Sequence, residues 1–236
     1  MKKVFIYFLL FYIAIFSGCI SSNKPVVPVG GDYDESTMES LIEPPEKIPL
    51  LLRPALRIAD KKAKKDVLPG RVLAWSSKIA ISSGLLELYV EEDAADCLDS
   101  RLIKLLRIRI SYMIPSPFAV DINSQNYENF NISEEEIKFL QGLVEIENIK
   151  SFSKKEKTAL KYAEALSETP IVLKQTLLND LRNQFSEKEI VALASLSAKV
   201  NYWARLIEAL RIKHAGYTDD PILRLEEYSS FSKISE

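Results

Sequence analysis

Lys104, Ser116 and Asp121 are the side chains of this 236-residue chain whose types could combine into a nucleophile. A serine oxygen attacks only when a base removes its proton, and a nearby amine or carboxylate can supply that base. The spacing has a plainer reading. Ser116 directly precedes Pro117, the arrangement of a helix N-cap, in which the hydroxyl accepts from an orphaned N–H and proline takes the first helical position. Asp121 then falls in the first turn, where a carboxylate suits the helix dipole. The structural reading is adopted for both. Metal chemistry has less to work with. His214 is the one histidine, near the end of the last helical run, where a cation complements the helix terminus. No second histidine and no cysteine or acidic cluster stands at ligand spacing, so neither a metal nor another cofactor is expected. A net charge of −2 gives nucleic acid no reason to bind.

The two cysteines, Cys19 and Cys97, lie in different contexts. "MKKVFIYFLLFYIAIFSGC" opens on Lys2 and Lys3, runs through an apolar core from Val4 to Phe16, and closes on small residues before Cys19. That core is short for a membrane span and reads as an export signal. The ending "FSGC" resembles a bacterial lipobox, in which the cysteine is acylated and becomes the new N-terminus. Residues 1–18 are therefore expected to be a lipoprotein signal peptide and Cys19 the site of lipidation. Ile20 stands where an aspartate accompanies inner-membrane retention, so in a cell with two membranes the outer one is expected. With Cys19 acylated, Cys97 has no thiol to pair with, and it reads as a half-buried apolar residue ahead of a helix.

Residues 19–49 are rich in proline, serine, glycine and acid. They cannot bury enough apolar surface to offset their ordering entropy, so a disordered tether is expected. Residues 50–218 have the length of one domain. Residues 219–236 form a charged, serine-rich tail.

The domain is punctuated as helices. Ser133 with Glu136, Ser153 with Glu156, and Ser186 with Glu189 each have the form of a capping box leading into an apolar rhythm. Ile190, Leu193, Ser197, Val200, Trp203, Ile207 and Leu210 fall on one helical stripe. The pattern predicts helices over 51–65, 71–90, 99–113, 117–129, 134–143, 154–166, 171–183 and 187–213. The breakers between them are Pro69-Gly70, Asp93 to Asp96, Ile114-Pro115, Asn131 and Thr169-Pro170. Alternating strand patterns are absent, so the class is an all-α bundle. Arg101, Lys104 and Arg107 recur every three residues, a spacing that ordinarily marks a solvated face.

Three blocks, in matching order and spacing over roughly 68–217, resemble the carboxymuconolactone decarboxylase and alkylhydroperoxidase D family. "LPGRVLAWSSKIAISSGLLELYV" is similar to its first segment, with Ser82-Ser83 where a proline is usual. "LDSRLIKLLRIRIS" and "AVDINSQ" resemble its central helix pair, and "FSEKEIVALASLSAKVNYWARLIEALRI" its closing helix. The resemblance implies a helical bundle of that type. It also implies a relay, since peroxidase members use a glutamate on the first central helix, a Cys-x-x-Cys at the start of the next, and a histidine. A thiolate attacks peroxide, the second thiol resolves the sulfenic acid, and the other two groups move the proton.

Carried over residue by residue, the glutamate position is Lys104, the cysteines are Ser116 and Ala119, and the histidine is Asn123. A serine hydroxyl is too weak an acid, alanine resolves nothing, and asparagine does not titrate. The catalytic relay is therefore expected to be lost, leaving a binding or assembly role. Two further expectations follow from the resemblance. One is a trimeric or hexameric homo-oligomer. The other is a pocket of Lys104, Ser116 and Asn123 for a small anionic ligand. The competing expectation is a divergent enzyme, either a hydroperoxidase using Cys97 or a lactone decarboxylase with other residues.

Overall fold

Serine and glutamate three residues apart start three helices, as the spacing predicts. In the computed structural model, which describes residues 40–213, 216 and 217, Ser133, Ser153 and Ser186 each accept the N–H of the glutamate three residues on. Each glutamate bonds back to the serine N–H. The signal segment, Cys19, most of the tether, His214 and the C-terminal tail lie outside the described residues. The unit Glu35–Glu236 builds its core from its own residues.

The described residues contain helices and turns and no strand. The helices are α1 (Arg53–Ala63), α2 (Leu68–Val72), α3 (Ser77–Cys97), α4 (Ser100–Met113), α5 (Pro117–Ser124), α6 (Glu134–Leu140), α7 (Lys154–Ser167), α8 (Gln175–Gln184) and α9 (Glu187–Ala209). No described helix is long and apolar enough to cross a membrane. Helix α4 is the axis. It packs against α3, α5, α6, α7 and α9, and Leu102, Ile103, Leu105, Leu106, Ile108, Ile110 and Tyr112 bury on it. A smaller cluster of Val72, Phe118, Ile207, Ile212 and Tyr217 closes the end where α1, α2, α5 and the last turn of α9 meet.

Several predicted boundaries moved for identifiable reasons. The run over 71–90 is split, because Ser76 is extended and a 3₁₀ turn at Leu73–Trp75 separates α2 from α3. The acids at Asp93 to Asp96 do not end α3, which continues to Cys97. Ala94 is fully buried there, and tertiary packing outweighs the weak local penalty of the exposed aspartates. The break falls instead at Asp99, whose carboxylate caps α4 by accepting from the N–H groups of Arg101 and Leu102. Helix α5 stops at Ser124, and Asn126 and Asn131 adopt the left-handed conformation that asparagine tolerates better than most residues. The proline-rich approach to the domain is seated on it. Leu41 N–H donates to the Leu210 carbonyl at 3.1 Å, and Trp75 Nε1 donates to the Glu43 carbonyl at 2.8 Å.

Candidate functional site

The cations of α4 are not a solvated face. Arg101 pairs with Glu136 at 2.6 Å and Glu156 at 2.8 Å, and Arg109 pairs with Glu164 at 2.7 Å. Arg107 pairs with Glu91 and, at 3.2 Å, with Glu87. The reason is enclosure: with helices packed around α4, the long stems lie in seams and each head finds a carboxylate. Lys104 differs. Its Nζ donates to the Gln125 carbonyl at 2.7 Å and sits 5.3 Å from the centre of the Phe130 ring. Burial, with Arg107 alongside, lowers its pKa to about 8, against a partial pull the other way from Glu128 and Glu91.

Ser116 is fully buried and caps α5, its Oγ accepting from Ala119 N–H at 3.4 Å. The capping expectation therefore holds for Ser116. Asp121 lies beyond the first turn, and its carboxylate accepts from Tyr217 N–H at 2.8 Å, tying a distant segment to α5. Burial and the Asp121 charge push the Tyr217 phenol up to about 12. Ser116 starts α5, whereas Lys104 bonds the carbonyl of Gln125 just past its other end, nine residues or about 13 Å further along that helix. The serine and the amine are therefore not paired as nucleophile and base.

Asn123, at the histidine position, is committed on both sides. Its Nδ2 donates to Ser111 Oγ at 2.8 Å, and its Oδ1 accepts from Arg107 at 3.3 Å. Ser111 in turn donates to the Arg107 carbonyl at 2.7 Å. Arg107 thus lies between the Lys104 and Asn123 positions, while Ser116 and Ala119 sit at the other end of α5.

Sequence reasoning missed the group behind Asn123. Lys199, on α9, is 2% exposed, and its Nζ lies 2.7 Å from Glu91 and 3.1 Å from Glu87. With Arg107 it makes a charge-balanced quartet between α3, α4 and α9. Burial would raise the Glu91 carboxyl, but Arg107 and Lys199 hold it below the usual carboxylate range. The signal was present in α3. Ala80, Ser83, Glu87, Glu91 and Ala94 form a small and polar stripe along the helix, and that stripe, rather than the one with Leu85, Leu88 and Tyr89, is turned inward.

Cys97 stands apart from this region, at the C-terminal end of α3, where its Sγ donates to the Asp93 carbonyl at 3.1 Å. Burial raises its pKa, and Asp93, Glu189 and Asp96 add to the rise against a partial offset from Lys188. A helix C-terminus with acidic neighbours disfavours a thiolate. Among the described residues no group of three His, Cys, Asp or Glu side chains could hold a metal ion.

Among solved structures, the debrominase Bmp8 with 2,3,4-tribromopyrrole bound matches 84% of this chain and 99% of its own, with a TM-score of 0.63 and 14% identity. A peroxidase-related protein from Ralstonia eutropha with an alkylhydroperoxidase AhpD core matches 79% of this chain and 95% of its own, with a TM-score of 0.57 and 13% identity. The chain has the alkylhydroperoxidase D-type helical fold. A putative antioxidant defence protein AhpD from Agrobacterium tumefaciens shares this fold at a TM-score of 0.53 and 22% identity, over 61% of this chain and 94% of its own. By sequence, the uncharacterised protein YnjA of Escherichia coli (strain K12) is 29% identical over 177 residues, covering 74% of this chain and 94% of that protein. No family model matches the chain.

Proposed function

We propose that this chain is a lipid-anchored lipoprotein whose alkylhydroperoxidase D-type domain works by binding and assembly, without thiol redox chemistry. One observation carries the reading: the positions of the family's relay are occupied by side chains engaged in structural bonds. Ser116 caps a helix, Asn123 bridges Ser111 and Arg107, and Lys104 holds the Gln125 carbonyl. Cys97 lies on another helix end in surroundings that favour the thiol. The anchor is acyl chains on Cys19, and the membrane is the outer one in a cell with two.

Assembly is supported by an inverted helix. The inward face of α3 is small and polar, while Ile79, Leu85, Leu88 and Tyr89 are 49%, 45%, 57% and 61% exposed. An apolar face of this kind marks an interaction site, and a second copy of the chain in a homo-oligomer, a trimer or hexamer, would cover it.

Peroxide consumption tests the non-redox reading. Purified protein, with thiol reductants and hydroperoxide, should turn over no faster than the catalyst-free control, and Cys97→Ala should leave that result unchanged. Cysteine-dependent turnover would end it. Labelled fatty acid should enter the wild-type chain and not Cys19→Ala.

A second reading has its own support. Lys104 is the α4 cation whose described bond runs to a backbone carbonyl rather than a carboxylate. A small anion near Lys104 and Asn123 would complete it, and a divergent enzyme handling a carboxylate-bearing lactone could use the same amine. The small ligand of the debrominase shows the scale of molecule that one protein of this fold accepts. An anion-dependent rise in melting temperature that disappears in Lys104→Met would favour this reading.

A further inference from the structure

Helix α1 presents a face that the domain does not use. Leu52, Leu56, Ala59 and Ala63 turn toward the protein, and Ala63 packs on the smaller apolar cluster. No residue of α1 itself is fully buried. On the outer side, Leu50 and Leu51 in the turn ahead of α1 and Ile58 within it are 76%, 74% and 70% exposed, three large aliphatic side chains in water within nine residues. Arg57, Lys61 and Lys62 stand exposed among and beyond them.

The charge is as lopsided as the hydrophobicity. From Leu50 to Asp66 the chain carries six lysines and arginines against Asp60 and Asp66, a net of +4. The whole chain is −2, which leaves −6 for everything else. Both aspartates are paired with one residue outside α1, Arg71, at 2.7 Å and 2.9 Å, so they do little to neutralise the outward cations. Beside the helix lies a cleft of about 350 Å³ with Arg53, Arg57 and Arg71 in its walls, together with Glu46 and Asp60. The Nε of Arg71 is buried and has no acceptor.

Exposed aliphatic side chains beside a row of cations are what a helix lying at the interface of an anionic bilayer requires. The apolar groups enter the headgroup boundary and the cations meet lipid phosphates. A solvated helix of charged residues would have no use for Leu50, Leu51 and Ile58. A protein-binding face would have no need of so strong a single sign of charge. We infer that α1, with Leu50 and Leu51 ahead of it, docks the domain on the surface of a membrane containing anionic phospholipid, with a headgroup phosphate entering the arginine-lined cleft.

The inference rests in part on the lipid-anchor reading. From Cys19 to Ser40, the first described residue, is 21 steps of chain, at most about 70 Å when fully extended, so an anchored domain stays within reach of the bilayer. The face itself is independent of the anchor, and the test keeps the two apart.

The unit from Glu35 to Glu236, which carries its own core and lacks Cys19, is mixed with phosphatidylcholine vesicles with and without phosphatidylglycerol and sedimented. It should bind the phosphatidylglycerol vesicles only, and added salt should release it. Lys61→Glu with Lys62→Glu should weaken binding by about tenfold or more. Leu51→Ser with Ile58→Ser should also weaken it at constant charge. All four positions are exposed, and unchanged circular dichroism confirms folding. Failure to bind anionic vesicles, equal binding to neutral ones, or binding unaffected by either pair overturns the inference. Binding to a soluble polyanion such as polyglutamate but not to vesicles overturns it in favour of an acidic protein partner. Loss of fatty-acid labelling at Cys19 leaves this result untouched, and a failed vesicle assay leaves the labelling result untouched.

Discussion

At the scale of single residues, Lys104, placed by the sequence in an expected ligand pocket, is the α4 cation whose described bond runs to a carbonyl and not to a carboxylate. Its amine is held at about 8 in the fold, below the ordinary 10.5, because burial and Arg107 oppose the charge. Between those two values the unfolded chain binds more protons than the folded one, so this group makes stability rise with pH across that window. Below about 8 the cost of carrying the charge is present in full. Replacing the amine with an apolar side chain of similar length removes that cost, along with the Gln125 bond and the Phe130 contact. Lys104→Met should therefore stabilise the domain at neutral pH, by on the order of 1–2 kcal/mol after those losses. The advantage should shrink as pH rises from 8 toward 10.5. Denaturant unfolding at pH 7 and near pH 10 measures both; a variant destabilised equally at the two values would show that Lys104 supports the fold rather than straining it.

Elements show how far sequence reading reached. Every capping box is formed, because serine and glutamate at that spacing satisfy each other locally and need nothing from the rest of the chain. The all-α class and the central α4–α5 pair were legible for the same reason. The extent of α3 and the inward direction of Lys199 were not, since both depend on which face of a helix meets its neighbours. A lysine on an apolar stripe is read as exposed until two glutamates on another helix are found opposite it. The three boxes should also differ in weight. The Ser153 box lies at the surface, and Ser153→Ala should cost about 1 kcal/mol. Glu136 is 1% exposed and also holds Arg101 and Ser151, so removing it takes one of two carboxylates from a half-buried guanidinium that keeps Glu156, and leaves Ser151 without its acceptor. Glu136→Ala should cost about 2–3 kcal/mol, seen as a fall in denaturation midpoint about twice that of Ser153→Ala or more. Equal costs would mean that the Arg101 link contributes nothing beyond the cap.

For the whole molecule, the apolar ledge of α3 decides whether one chain is the working unit. Ile79, Leu85, Leu88 and Tyr89 face outward, while Ser83 is buried and Glu87 and Glu91 reach inward to Arg107 and Lys199, the reverse of a surface helix in a protein that stays monomeric. Covering that ledge with a copy of itself removes the exposed aliphatic area from water. It also leaves the inward quartet undisturbed, because Lys199 and Arg107 bind Glu87 and Glu91 from within the same chain. The two faces can therefore be separated by substitution. Leu85→Asp with Leu88→Asp places two carboxylates on the ledge and none in the core. In an oligomer joined there, each buried carboxylate would lack a counter-charge, a cost of several kcal/mol per interface. Light scattering behind size exclusion should show a homo-oligomer for the wild-type chain and a monomer for the double variant, with the helical signal retained. A monomeric wild type would end the assembly reading, and an assembly indifferent to both aspartates would place the interface on another surface.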